Sequence, residues 1–378
     1  MSVSQPGMTL SDVRFMRLAL AQASRGRGDV EPNPMVGAVL VKNGRLIARG
    51  YHRYFGGPHA EIDVLKQAAR NARGATLYVT LEPCCHTGKT GPCTQAIIAA
   101  GVRRVVAAMR DPDPRVRGKG FAALRRAGIS VTRDVCKREA MELNRPFIRR
   151  ITAERPYIIA KWAQTMDGCI ADRAGASKWI SNSASRRRVH ELRGRVDAIV
   201  VGIGSVLADD PRLTARLGAD GKIHRTAVRV VIDSRCRLPL QSALVRTCRR
   251  IPVLLVHQDR LNPAARRRRT ALIAAGVEPL PAQKNKAGFL ELGPVFKRMA
   301  VRGYTNILVE GGPRLLAQLL KNNLVDEAWV FIAPLILGDK SARHAVELDM
   351  PVPLASAKKC TNLQVTRLKD DLLLRVWL

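Results

Sequence analysis

The sequence predicts an α/β protein of two domains, on three observations: a length of 378 residues, a regular alternation of strand-like and helix-like segments, and a break in that alternation at Arg155-Pro156. A chain of this length exceeds one ordinary compact core. Alternating segments of the two kinds place helices over a sheet. The residue before a proline disfavours helix, so the pattern resets there, and the boundary is set near residue 150, giving domains 1–150 and 151–378.

Residues 11–25 carry apolar side chains at helical spacing behind Ser11-Asp12 and read as a capped amphipathic helix. The apolar runs 35–41 and 45–51 flank Lys42, Asn43 and Gly44, a hairpin signal. A helix over 60–72, a strand over 75–80, a helix over 93–100 and a strand over 103–109 follow, then a helix and strand within 119–131 and a closing helix over 137–149. Beyond the reset, 157–163 reads as a buried strand. Further strands are expected at 198–202, 228–233, 252–257, 306–310 and 327–334, with helices between them.

Composition narrows the class. Hydrophobic residues at 46% and charged residues at 25% match an ordinary globular protein. The opening residues lack a leader pattern and no stretch reaches the length of a membrane span, so a soluble cytoplasmic enzyme without a membrane partner is expected. Eight cysteines scattered in a long chain argue against a disulfide framework, although Cys84, Cys85 and Cys93 cluster. The 64 Lys and Arg against 31 Asp and Glu give a formal charge of +33, which attracts polyanions. The densest basic runs, 186–188 and 266–269, fall where helices are expected and read as solvated faces, so no specific nucleic-acid partner is expected.

The sharpest signal is His59-Ala60-Glu61 with Pro83-Cys84 and Pro92-Cys93. One imidazole and two thiolates give a zinc ion three protein ligands and leave a fourth tetrahedral position for water, the pattern of a catalytic site. Glu61 stands beside the metal without binding it and is expected to shuttle protons between water, ring nitrogen and departing amine, as in zinc deaminases. Cys93 opens a predicted helix whose N-terminal dipole favours a thiolate. A structural site with Cys85 as fourth ligand is the competing reading; adjacent residues ending a strand face opposite ways, which argues against it. Asn33, between two prolines, offers a donor and an acceptor to a heterocycle. Eight residues separate Cys84 from Cys93, where nucleic-acid deaminases carry two, and the insertion brings His86, Gly88, Lys89 and Thr90 to a substrate phosphate. Gly202-Ile203-Gly204 lacks the full dinucleotide fingerprint, so a Rossmann domain is not expected.

PNPMVGAVLV (32–41), GGPHAE (56–61), TLEPCCHTGKTGPC (80–93) and DPDP (111–114) resemble the bifunctional deaminase/reductase family of riboflavin biosynthesis, and KWAQTMDG, SKWIS, LADDPRLTAR, VIDS and EGGP carry the resemblance through the second half. It implies a cytidine-deaminase-like α/β/α domain followed by a dihydrofolate-reductase-like α/β domain. The implied reactions are deamination of a pyrimidine ribosyl phosphate with one zinc ion per chain, then NADPH-dependent reduction of its ribosyl group, in a homo-oligomer. In the first half it implies Asn33, His52, His86, Lys89, Thr90 and Asp111 as substrate residues. In the second half it implies Lys161 and Glu310 as catalytic, with Ser177, Arg193, Arg216 and Glu310 on the substrate and Ala163, Trp179, Ser205, Asp209, Ser234, Gly312 and Pro313 on the cofactor. Cys85 and Val30 depart from the family pattern, which usually has a small residue and a threonine there; neither removes a ligand or Glu61. The charge of +33 exceeds what phosphate and NADPH recognition require.

Overall fold

The computed structural model describes residues 9–86, 91–217, 221–347 and 353–378. The chain divides into two compact units, Met1–Glu154 and Arg155–Leu378.

In the first unit, α1 (Leu10–Ala23) starts one residue before the sequence suggests and ends two residues earlier. Its cap is Thr9: the Thr9 hydroxyl accepts from Asp12 N–H and the Asp12 carboxylate accepts from Thr9 N–H, a reciprocal capping box. Phe15, Met16 and Ala19 on one face enter the core. The hairpin of β1 (Gly37–Lys42) and β2 (Arg45–Tyr51) turns on Asn43 and Gly44, whose φ angles of 52° and 72° are the left-handed pair a two-residue turn requires. After α2 (Ala60–Ala68) come β3 (Thr76–Val79), α3 (Cys93–Ala99), β4 (Arg104–Ala107), α4 (Lys119–Arg126) and β5 (Ser130–Thr132). Among the described residues these strands form a sheet of order β2-β1-β3-β4-β5, antiparallel at β1 and parallel from β3 to β5. The strand read over 75–80 ends at Val79, so Cys84 sits in the loop beyond it.

The single helix expected over 137–149 is two, α5 (Lys137–Leu143) and α6 (Arg145–Ala153). Pro146 in the first turn of α6 has no N–H to continue the α5 ladder. Asn144 at the break is 1% exposed; its amide accepts from Met35 N–H at 2.8 Å and donates to Met35 C=O at 2.9 Å, pinning the segment that enters β1.

The second unit contains β6 (Tyr157–Gln164), β7 (Cys169–Ala171), α7 (Ser183–Arg193), β8 (Ala198–Gly202), α8 (Ile203–Asp209), β9 (Val228–Ile232), α9 (Ala243–Arg246), β10 (Val253–Gln258), α10 (Pro263–Ala275) and β11 (Glu278–Ala282). The remainder is α11 (Leu292–Val301), β12 (Asn306–Val309), α12 (Pro313–Lys321), β13 (Glu327–Ile332), β14 (Arg343–His344), β15 (Thr361–Leu368) and β16 (Asp371–Trp377). The main sheet runs β11-β10-β9-β8-β12-β6-β13-β16-β15, parallel as far as β13 and antiparallel at its last two strands, while β14 pairs with β7. Its central strands are apolar on both faces: Ile199, Val201 and Val231 belong to one core cluster, and Ala198, Val200 and Val230 to the other. A parallel sheet of this kind opens its crevice at the C-terminal ends of its strands.

Candidate functional site

In the first unit three chain segments converge. His59 is the N-terminal neighbour of α2, Cys84 lies in the loop after β3, and Cys93 is the first residue of α3. Their ligand atoms all lie within 4.8 Å of one another. His59 Nδ1 is 3.2 Å from Cys93 Sγ and 3.6 Å from Cys84 Sγ. Tetrahedral zinc with ordinary Zn–N and Zn–S bonds separates its nitrogen and sulfur ligands by about 3.6 Å, so the three side chains fit that ion with shifts of a few tenths of an ångström. Cys93 is fully buried and its backbone N–H donates to Cys84 Sγ at 3.4 Å. The Cys84 thiol is pulled down, first by its hydrogen bond with Cys93, and the Cys93 thiol is pushed up by the same contact. Cys85 is not part of the cluster, and all eight cysteines are free thiols.

Glu61, in the first turn of α2, is 3% exposed, and burial is the first cause that pushes its carboxyl above the ordinary value. His52 is 2% exposed. Its Nδ1–H donates to Pro58 C=O at 2.9 Å, which leaves Nε2 to accept from the Asn33 amide at 3.1 Å. Burial lowers the His52 pKa and keeps the ring in this neutral role. Asn33 is thereby oriented by a residue 19 positions away, its carbonyl oxygen left for another partner.

Sequence reasoning missed Glu82, which is 2% exposed. Its carboxylate accepts from the N–H groups of Asp111 at 3.2 Å, Gly118 at 2.9 Å and Phe121 at 3.2 Å. It holds the segment carrying Asp111 against the cysteine loop. A Cβ at Gly120 would lie 2.1 Å from Pro83 C=O, so only glycine permits that approach. The Asp111 carboxyl is pushed up to about 7, first by burial. His86 is exposed, and Lys89 and Thr90 lie outside the described residues.

In the second unit one cavity of about 1200 Å³ opens at the C-terminal ends of β6, β12, β8 and β9. Every substrate, cofactor and catalytic residue that the sequence resemblance implies for this half of the chain lines it. Glu310 takes both Arg193 Nε (2.6 Å) and Nη2 (2.9 Å), a bidentate pair, with Lys161 Nζ 3.7 Å away. Burial would raise the Glu310 carboxyl, but Arg193 and then Lys161 outweigh it and hold it at about 2. Burial is also the first cause lowering Lys161. His190, which sequence reasoning passed over, lines the same cavity and is lowered to about 4 by burial, then by Arg193 and Arg216. The Arg186 guanidinium lies 4.5 Å from the Trp179 ring centre, and Asp209 pairs with Lys178 at 3.2 Å. Gly312 precedes Pro313 at the start of α12, and both line the cavity, so the positive end of that helix's dipole lies at the cavity wall, a surface suited to phosphates.

The profile described as cytidine and deoxycytidylate deaminase zinc-binding region matches residues 10–109, and that described as RibD C-terminal domain matches residues 156–374. The riboflavin biosynthesis protein RibD of Aquifex aeolicus is 44% identical over 328 residues, 87% of this chain and 88% of that protein. Its namesake in Escherichia coli is 38% identical over 377 residues, 97% and 99% of the two chains. The structure of Acinetobacter baumannii RibD superposes with a TM-score of 0.85 at 35% identity, covering 97% of this chain and 98% of that one. A diaminohydroxyphosphoribosylaminopyrimidine deaminase/5-amino-6-(5-phosphoribosylamino)uracil reductase from Thermotoga maritima gives 0.80 at 35% identity, with the same coverage. A zinc-fitting cluster in one unit and a reductase-type cavity in the other, together with these likenesses over almost the whole chain, place the protein in the RibD family of bifunctional deaminase/reductases of riboflavin biosynthesis, which use zinc and NADPH.

Proposed function

We propose that the chain acts twice on one compound: residues 1–150 deaminate 2,5-diamino-6-ribosylamino-4-pyrimidinone 5′-phosphate, and residues 151–378 reduce the ribosyl group of the product to ribityl, giving 5-amino-6-ribitylaminouracil 5′-phosphate. The observation that carries the reading is the placement of buried Glu61 in the turn next to the His59, Cys84 and Cys93 cluster. Zinc held by those three residues supplies the Lewis acidity that makes a water reactive near neutral pH. Glu61 moves protons from that water to the ring nitrogen and then to the departing amine. Asn33, oriented by His52, and Asp111, held by Glu82, grip the heterocycle; the phosphate is assigned to His86 and, outside the described residues, to Lys89 and Thr90.

For the second step the ribosylamine opens to an imine or carbonyl form, and NADPH supplies the hydride. Lys161 and Glu310 orient the sugar hydroxyls and handle the accompanying proton. Ser177, Arg193 and Arg216 hold the substrate and its phosphate. Ala163, Trp179, Ser205, Asp209, Ser234, Gly312 and Pro313 line the cofactor's path.

In this reading the enzyme works in the cytoplasm as a homo-oligomer, on small molecules, with neither a specific nucleic acid nor a membrane as partner. Among the described residues no helix is long and apolar enough to cross a membrane. Support for self-association comes from the edge strand β15, where Leu363 and Val365 are 62% and 57% exposed. The test follows ammonia release and then NADPH oxidation on the diaminopyrimidine phosphate. Both signals are expected in that order, and a chelator should abolish the first on this substrate while leaving the second on the deaminated compound. Zinc-loaded protein that releases no ammonia refutes the assignment.

A further inference from the structure

The cavity of the second unit runs across the sheet, from Lys161 on β6 and Glu310 just past β12 to the turn that follows β9. Three strand spacings separate β6 from β9, about 14 Å. If the hydride is delivered at Lys161 and Glu310, as proposed above, the adenosine end of the dinucleotide lies at the β9 turn. A dinucleotide site distinguishes NADH from NADPH there, by offering the ribose either a carboxylate for its free hydroxyls or a cation for its 2′-phosphate.

The nearby carboxylates are engaged elsewhere. Asp233 is fully buried and turned inward, where it accepts from Leu238 N–H at 2.8 Å and Arg235 N–H at 3.4 Å and so fixes the turn. Asp210, which also lines the cavity, accepts from Ala243 N–H at 2.8 Å. The same turn presents Ser234 and Arg237 to the cavity. The Arg237 side chain is 53% exposed and only its Nε approaches Asp233, at 3.9 Å, so its terminal donors are open to a phosphate. We infer that Arg237 is the specificity-determining residue that reads the 2′-phosphate and sets the preference for NADPH over NADH, with the Ser234 hydroxyl beside it. This rests on the reductase reading of the second unit.

The test is equilibrium binding to the full-length protein, by calorimetry or cofactor fluorescence, with four probes: NADPH, NADH, 2′,5′-ADP and 5′-AMP. Wild-type protein should favour each 2′-phosphorylated probe over its partner. Arg237→Gln should weaken NADPH and 2′,5′-ADP by about 10-fold or more, the effect of losing a charge-assisted contact, while NADH and 5′-AMP change by less than about 3-fold. Arg237→Lys should keep most of the preference, since it keeps the charge. An unchanged NADPH to NADH ratio in Arg237→Gln overturns the inference, and so does an equal loss for all four probes alongside the same loss in Arg237→Lys. A wild-type protein that binds none of the four overturns the reductase reading itself, and this inference with it.

Discussion

At the scale of single residues, the proposed mechanism divides labour between groups that bind and groups that carry protons. Glu61 is the clearest case, since it sits in the first turn of α2 but outside the set of side chains that fit the ion. Glu61→Gln keeps the shape and removes the proposed proton carrier. It should retain one zinc per chain by metal analysis and lose deamination by about 100-fold or more, the size of a general acid–base contribution. Ammonia release at the wild-type rate would remove Glu61 from its role. In the other unit the acid response follows from Glu310, whose folded value of about 2 lies below the ordinary 4.5 because Arg193 and Lys161 face it. A depressed carboxylate contributes stability that is present above 4.5 and is lost as pH falls towards 2. His190 adds to the same trend in a higher window: its folded value of about 4 lies below the ordinary 6.5, so the unfolded chain takes up that proton first and stability falls between those two values. Thermal melts from pH 7 to pH 3 should show a falling midpoint, with the lower part of the fall flattened in Glu310→Gln; an identical slope in that variant would show that Glu310 is not the group responsible.

At the scale of elements, what aims the site is a set of loop anchors rather than the helices and strands alone. Glu82 satisfies the N–H groups of Gly118 and Phe121 at the start of α4 and that of Asp111 upstream, and removing it takes away their partner in a largely buried place. Glu82→Ala should cost about 2–4 kcal/mol of stability and raise KM for deamination more than it lowers kcat, with zinc content kept. A variant that melts like wild type would show the anchor to be dispensable. The ligand triad was legible in the sequence because imidazole and thiolate at those spacings have few other uses. Glu82 was not, since one acid in a loop gives no local sign that distant N–H groups will meet it. Similarly, β11 reads EPLPA, and its two prolines argue against a strand until the sheet order shows that it is an edge, where missing donors are tolerated. The closing hairpin of β15 and β16 escaped because its alternation is weak: seven of the eight β15 residues are exposed. The split between α5 and α6 was visible as Pro146, but not the amide of Asn144 that makes the break useful to Met35.

For the whole molecule, the surplus of 33 positive charges has a structural use that phosphate recognition does not exhaust. Several arginines serve carbonyl groups instead of carboxylates. Arg266 Nε donates to Leu261 C=O at 2.9 Å, Arg268 donates to Cys236 and Arg235 C=O at 2.9 Å each, and Arg229, fully buried, donates to Thr247 Oγ1 and Ile251 C=O. Such contacts tie loops without neutralising the guanidinium, so local order is gained while net charge accumulates. Like charges spread over one molecule repel, and the repulsion reaches as far as the Debye length, about 30 Å at 10 mM salt and about 8 Å at 150 mM. Added sodium chloride should therefore stabilise this protein rather than weaken it, raising the melting midpoint by a few degrees, about 2–4 °C for each kcal/mol of repulsion screened. The Glu310 and Asp12 ion pairs pull the other way, but both are largely buried and feel salt less than the exposed arginines do. Calorimetry at constant pH from 10 to 300 mM salt decides between them: a midpoint that falls with salt would mean that paired charges, not the unpaired surplus, dominate the electrostatics of the fold.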